Sequence, residues 1–285
     1  MIPPLLFTSF LATYVAAETM TLNVERLIIK DPQLPSNFNN LRICFISDIH
    51  HGRYSSPKRL RKMVKKIAQL EPDLILLGGD YLQTPKSKKD RVKQAWQELL
   101  KILKDLPPTR YGNFAVMGNH DHVFTVDFIR QSLAKINIKL LNNEGLFLHN
   151  EKQKIYLGGV GDLWHDGADL AKTMANSDQQ NNFNLILSHQ PNFIDQLRVE
   201  DGINFVLAGH THGAQCRMFN YMPYMPKGIA HWEYTVGLIE TPQTRMLVSP
   251  GVGNVAPYFR FFSTPKIHLL KFKSAPHLST LSARL

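Results

Sequence analysis

The sequence predicts an α/β layered domain, and two patterns predict it. Short apolar runs rich in Ile, Leu, Val and Phe each stop abruptly at an Asp, Asn or His, and amphipathic helical stretches separate the first of them. Apolar runs of that length read as strands buried on both faces. Strands alternating with helices build layered sheets.

The elements follow in chain order. LRICFIS (41–47) ends at Asp48 and DLILLGG (73–79) at Asp80; NFAVMG (113–118) ends at Asn119, NLILS (184–188) at His189 and INFVLAG (203–209) at His210. Between the first two, residues 57–70 set Leu60, Met63, Val64, Ile67 and Leu70 on one helical face, with Pro57 suited to a first turn. Residues 92–103 repeat the pattern through Val92, Trp96, Leu99, Leu100 and Leu103, and Pro107-Pro108 closes it. In open α/β sheets, sites form where strands deliver their carboxyl ends. Here those ends carry Asp, Asn and His.

With 285 residues the chain is long enough for one large domain or two small ones, and no repeat or Gly/Ser linker divides it. The expected organisation is an apolar segment over 1–20, one domain over 21–273 and a tail over 274–285. A 44% hydrophobic and 20% charged composition excludes a disordered chain. The net charge of +10 favours anionic partners (phosphates, nucleic acid or an acidic membrane) without choosing among them. Cys44 and Cys216, the two cysteines, exclude a disulfide framework and a cysteine metal site, and fit a reducing compartment. The stretch MIPPLLFTSFLATYVAA (1–17) carries no charged side chain, falls short of the ~20 apolar residues of a spanning helix, and lacks a basic leader region. It reads as a packed segment, a shallow anchor or a leader remnant; membrane contact is the expectation.

Asp48 and His50 lie two apart and so face the same side of an extended segment, as do His210 and His212. With Asp80, Asn119 and His189 they make seven candidate ligands of mixed oxygen and imidazole type, a set suited to Mn, Fe, Zn or Co rather than calcium. Seven exceeds the complement of one tetrahedral ion, and a carboxylate can bridge, so a dinuclear centre is expected. Two divalent ions, two carboxylates and a hydroxide leave a net charge of about +1, which attracts phosphate; an Asp in place of Asn119 would cancel it.

These residues spell DIH (48–50), GGD (78–80), GNHD (118–121), SH (188–189) and GHTH (209–212). In order and in glycines this set resembles the calcineurin-like metallophosphoesterase family. Five ordered motifs are specific where any one would be weak. The resemblance implies a four-layer fold, two packed mixed β-sheets flanked by helices, and two divalent ions, Mn²⁺ first, with Fe or Zn as alternatives. It implies Asp48, His50 and His212 on one ion, Asp80 bridging, and Asn119, His189 and His210 on the other. It further implies His120 as the residue that contacts the substrate phosphate and protonates the leaving oxygen. GGDYLQT (78–84) lacks the second Asp and the Arg of the protein phosphatases. The lead-in at 35–50 and the segment MLVSPGVGNVAPYFRFFSTPKIHLLKF (246–272) look instead like the bacterial branch of UDP-2,3-diacylglucosamine pyrophosphatases of lipid A synthesis and membrane-proximal phosphodiesterases. That branch implies a lipid or nucleotide-sugar substrate and a cytoplasmic location, peripheral at the inner face of the cell membrane. His51 departs from the pattern, where an apolar residue is usual.

Plainer readings compete. His51, His122, His149, His165, His231, His268 and His277 read as surface or structural, and Asp162 and Asp166 around Trp164 as a polar loop. The basic run 58–66 reads as a solvated helix face before a nucleic-acid or membrane track. Met218, Phe219, Tyr221, Met222, Tyr224 and Met225 read as core packing or as a greasy lip for an acyl chain. Arg53 and Arg217, near ligands in sequence, are candidates for phosphate contact. The rival functions are a non-catalytic scaffold, which should have lost ligands or His120, and a nuclease, for which no DNA-reading module is evident.

Overall fold

The computed structural model describes residues 4–52, 55–83, 89–177, 182–217 and 231–276. Its elements are α1 (Pro4–Met20), β1 (Asn23–Asp31), β2 (Arg42–Ile46), α2 (Pro57–Gln69), β3 (Leu74–Leu77), α3 (Lys89–Leu103), β4 (Asn113–Ala115), α4 (Val126–Ala134), β5 (Ile138–Leu140), β6 (Glu144–Asn150), β7 (Gln153–Gly159), α5 (Leu170–Thr173), β8 (Asn184–Leu187), β9 (Phe205–Ala208), β10 (Gly237–Glu240), β11 (Arg245–Val248) and β12 (Lys266–Ser274). All five expected strands and both expected helices form. Each strand stops short of its polar residue, which therefore begins the following loop.

Two six-stranded sheets result, ordered β1-β12-β2-β3-β4-β5 and β10-β11-β9-β8-β7-β6. Both are mixed. β2 to β5 run parallel while β12 is antiparallel to β2, and β7, β8, β9 and β11 run parallel between antiparallel β6 and β10. Successive side chains on a strand point to opposite faces, so each apolar run feeds two layers. Ile43, Phe45, Leu74, Leu76, Leu185, Leu187, Phe205 and Leu207 meet between the sheets. Their neighbours Cys44, Ile46, Ile75 and Leu77 turn outward under Leu60, Met63 and Ile67 of α2 and Trp96 and Leu99 of α3. Ile186, Val206 and Ala208 turn the other way, against Phe193 and Ile194. Strands with two buried faces thus give the expected four layers.

The helices start where side chains can satisfy free peptide N–H groups. Ser56 Oγ accepts from Arg59 N at α2 and Thr125 accepts from Phe128 N at α4. On α2 the side chains of Lys58, Arg61, Lys62 and Lys65 are exposed. Arg59 instead reaches across, donating to Met20 O at 2.8 Å and Val252 O at 3.0 Å. The apolar N-terminal segment is α1, whose last turns rest on the body. Glu18 accepts from Phe262 N and Thr264 Oγ1, Thr19 Oγ1 accepts from Arg260 N, and Tyr14 packs on Phe261 and Phe262. Among the described residues no helix is long and apolar enough to cross a membrane.

Candidate metal centre

At the carboxyl ends of β2, β3, β8 and β9 the chain turns sharply. Asp48, His50, Asp80, His210 and His212 all adopt positive φ, between 43° and 70°, a region unfavourable for side-chain-bearing residues and held only where surroundings enforce it. The enforcement is visible in hydrogen bonds between loops. Asp48 N donates to Gly79 O, His50 N to Asp80 O, and His210 N to the Asp48 carboxylate at 3.1 Å. Two motif glycines are explained by crowding. A Cβ on Gly118 would collide with Asp80 Oδ1 and lie 2.7 Å from His189 Cε1, and one on Gly209 would sit 2.5 Å from Asp48 Oδ2.

The loops bring all seven expected ligands together. Asp48, His50 and His212 offer ligand atoms within 4.8 Å of one another, and Asp80, His189 and His210 form a second such group. His50 Nε2 lies 3.0 Å from His212 Nε2, and His212 Nε2 lies 3.6 Å from Asp48 Oδ1. Asn119 Oδ1 is 3.0 Å from His210 Nδ1. Asp80 Oδ2 stands between the groups, 3.4 Å from His50 Nε2 and 3.3 Å from His189 Nε2.

These separations test whether the residues suit metal ions. Atoms bound at ~2.1 Å around one ion stand about 3.0–3.5 Å apart, which matches. His189 Nδ1 donates to Gly78 O at 2.7 Å, which orients the ring and turns Nε2 toward Asp80 Oδ2, 3.3 Å away. The donor sets fit a dimetal site.

Burial disfavours charge throughout this cage. It pushes Asp48 up and would do the same to Asp80, but the His189 charge and hydrogen bond hold Asp80 well below the usual carboxylate range. Against its own burial, His189 is raised to about 10, chiefly by the charge of Asp80. Burial and the neighbouring His50 and Arg260 drive His212 well below the usual imidazole value, which favours the neutral, ligating form; at His189 a bound ion would have to displace the proton. His120 projects beside the cage, its ring 5.0 Å from that of His50 and its peptide N–H donating to Asp80 Oδ1 at 2.8 Å. Burial lowers its pKa too, which makes it a stronger acid.

Two supporting residues had no role assigned from the sequence. Asp121, the last residue of the GNHD motif, serves the backbone: its Oδ2 accepts from Asp80 N and Gly118 N and its Oδ1 from Tyr81 N, each at 2.8 Å. Arg260, fully buried, donates from every guanidinium N–H group: to Asn254 Oδ1 at 2.8 Å and to the carbonyls of His212, Ser263, Pro250 and Gly253. A lone cation inside the aromatic run YFRFF was its only sequence signal.

The remaining candidates separate. Arg217 is half-buried, its peptide N–H donating to Phe261 O at 2.8 Å. Arg53, His277 and the Met/aromatic loop with Met218, Phe219, Tyr221, Met222, Tyr224 and Met225 lie outside the described residues. His51 is buried, bonded to Ser55 O and Glu98 Oε2. His268, also buried, meets Glu25 and Ser249. His122, Asp162 and His165 form a third compact group, but the two imidazoles are stacked at 4.3 Å and 8°. An ion in the plane of one ring would lie far from the plane of the other, so the group braces a loop.

The comparisons with known proteins agree with this geometry. A family model for calcineurin-like phosphoesterases matches residues 41–214. An uncharacterized metallophosphoesterase of Campylobacter jejuni is 29% identical over 250 residues, covering 85% of this chain and 62% of its own length. The uncharacterized metallophosphoesterase YkuE of Bacillus subtilis is 28% identical over 252 residues, covering 86% and 84%. The phosphodiesterase YaeI of Escherichia coli is 29% identical over 218 residues, covering 75% and 76%. Thus the chain spans less than two thirds of the Campylobacter protein and most of the other two. Among solved structures, a dimetal phosphatase from Danio rerio shares the fold with a TM-score of 0.50 at 12% identity, covering 77% of this chain and 90% of that one. With its five motifs, its cage and a family match over most of its length, the chain belongs to the calcineurin-like phosphoesterase family of metal-dependent hydrolases.

Proposed function

We propose that this chain hydrolyses a phosphodiester or pyrophosphate bond of a lipid-linked or nucleotide-sugar substrate such as UDP-2,3-diacylglucosamine. The observation that carries the hydrolytic part is Asp80 Oδ2, placed at nearly equal distances from His50 Nε2 and His189 Nε2. In this reading Asp48, His50 and His212 would hold one ion and Asn119, His189 and His210 the other, with Asp80 shared between them. When bound, the ions (Mn²⁺ in this proposal) would supply Lewis acidity that acidifies water and offsets charge on the phosphoryl oxygens. His120, whose peptide N–H is anchored on Asp80 Oδ1, gives its ring proton to the departing oxygen. Asn119 leaves the site a net positive balance that draws in an anion.

The lipid part is supported by the cavity that opens from the cage. It measures about 890 Å³, within the range of small-molecule sites. Its lining joins the polar Asn119 and His120 with Trp164 and with apolar side chains, among them Leu11 and Val15 of α1, Phe259 and Phe261. Apolar lining suits an acyl chain. Exposed Phe10, Phe259 and Phe262 add apolar surface on and beside α1, which supports peripheral contact with the inner face of a cell membrane.

Protein loaded with Mn²⁺ is expected to carry about two ions per chain and to cleave UDP-2,3-diacylglucosamine in detergent. His120→Asn should keep the metal and lose activity by about 10²–10⁴-fold. A fully loaded protein that cleaves no diester and no pyrophosphate would falsify the reading.

A further inference from the structure

Residues 160–169, between β7 and α5, are bonded far more heavily than a connecting loop requires. Asp162, fully buried, accepts at Oδ1 from Trp164 N and His165 N at 3.0 Å and pairs with His165 Nδ1 at 2.7 Å. Its Oδ2 accepts from Gln190 Nε2, and Gln190 Oε1 accepts from Leu163 N. Gln190 directly follows His189, so the loop is tied to a residue of the cage. On the other side Asn143 Oδ1 accepts from Gly161 N and Asp169 N, and its Nδ2 donates to Gly167 O. His122, two residues past His120, stacks on His165 and pairs with Asp166 at 3.3 Å.

This bracing holds one large side chain that is not itself buried. Trp164 is 42% exposed and lines the cavity, its indole perpendicular to the His210 ring with centroids 4.8 Å apart. A rigid aromatic group beside a phosphoryl site costs little conformational entropy when it binds a flat partner. Stacking on such a group favours nucleobases of any kind.

We propose that Trp164 is the specificity-determining platform for a nucleobase whose phosphate sits over the cage. The proposal rests on the phosphoesterase reading and deepens it: the base lies on the indole while the apolar lining of the cavity takes the rest of the substrate. Two measurements test it. In the first, thymidine 5′-p-nitrophenyl phosphate is compared with methyl p-nitrophenyl phosphate, which shares the leaving group and lacks the nucleoside. The kcat/KM preference for the thymidine ester should fall about tenfold in Trp164→Ala, mainly through KM, and be largely kept in Trp164→Phe. An equal loss on both esters, or an unchanged preference, overturns the platform. The second needs no turnover: calorimetry on metal-loaded protein with uridine monophosphate and with inorganic phosphate. Trp164→Ala should weaken the nucleotide about tenfold more than phosphate, and equal effects overturn the proposal. If this discrimination is seen in a protein that cleaves neither ester, the platform stands and the hydrolase reading falls.

Discussion

Arg260→Met removes a buried cation that faces acceptors on every side. The five acceptors are four carbonyls and the Asn254 amide oxygen, and a net hydrogen bond is worth about 1 kcal/mol, so roughly 5 kcal/mol is at stake. Relief from burying an unpaired charge offsets part of this, leaving a loss of about 3 kcal/mol. Arg260→Lys keeps the charge but has only three donors for five acceptors, so it should fall between. The assay is urea unfolding of chelator-treated protein, which keeps metal binding from masking the loss. Because one bond goes to His212 O, metal content after dialysis should drop alongside stability. An Arg260→Met protein unfolding within about 0.5 kcal/mol of wild type, the range of an ordinary surface substitution, would refute the reasoning.

Two further outcomes are expected. Asp121→Asn puts an amide N–H₂ against peptide N–H groups of Gly118, Asp80 or Tyr81; it should cost about 2 kcal/mol by thermal or urea unfolding, while weakening retention of bound metal. Glu25, on β1, bonds His268 and Lys266 of β12, and the His268 bond chiefly holds its pKa at about 2 against an ordinary 4.5. A carboxylate lowered on folding contributes stability that is present above pH 4.5 and is lost as pH falls toward 2. Glu25→Gln should therefore flatten the acid limb of a stability–pH curve by on the order of 1 kcal/mol, small because the pair is partly exposed; an unchanged limb would count against the bond.

The features legible in the sequence are those whose cause is local. A doubly buried strand is a run of Ile, Leu, Val and Phe, and a residue at its carboxyl end is adjacent in sequence, so Asp48, Asp80, Asn119, His189 and His210 could be marked as site residues before any contact was known. The helices α2 and α3 announced themselves by periodicity and Pro57. What stayed hidden depends on distant partners. Asp121 serves peptide groups about 40 positions away, and Arg260 reaches His212 across 48. Helix α1 is apolar around much of its circumference, so no period distinguished it from an extended anchor. Trp164 looked like part of a polar loop because its value lies in where Asp162 and Asn143 hold it.

One topological detail bears on how the protein is made. Strand β12, from residues 266–274, lies between β1 and β2, so a nascent chain cannot close its first sheet until that late stretch has emerged. The strands bearing Asp48 and Asp80 wait beside an open seam, while β7, β8 and β9 are synthesised by residue 208 and can pair earlier. Such long-range pairing is slow to form. Every cage residue is made by residue 212, so a ribosome stalled before the seam strand would carry the ligands without the strand that completes their sheet.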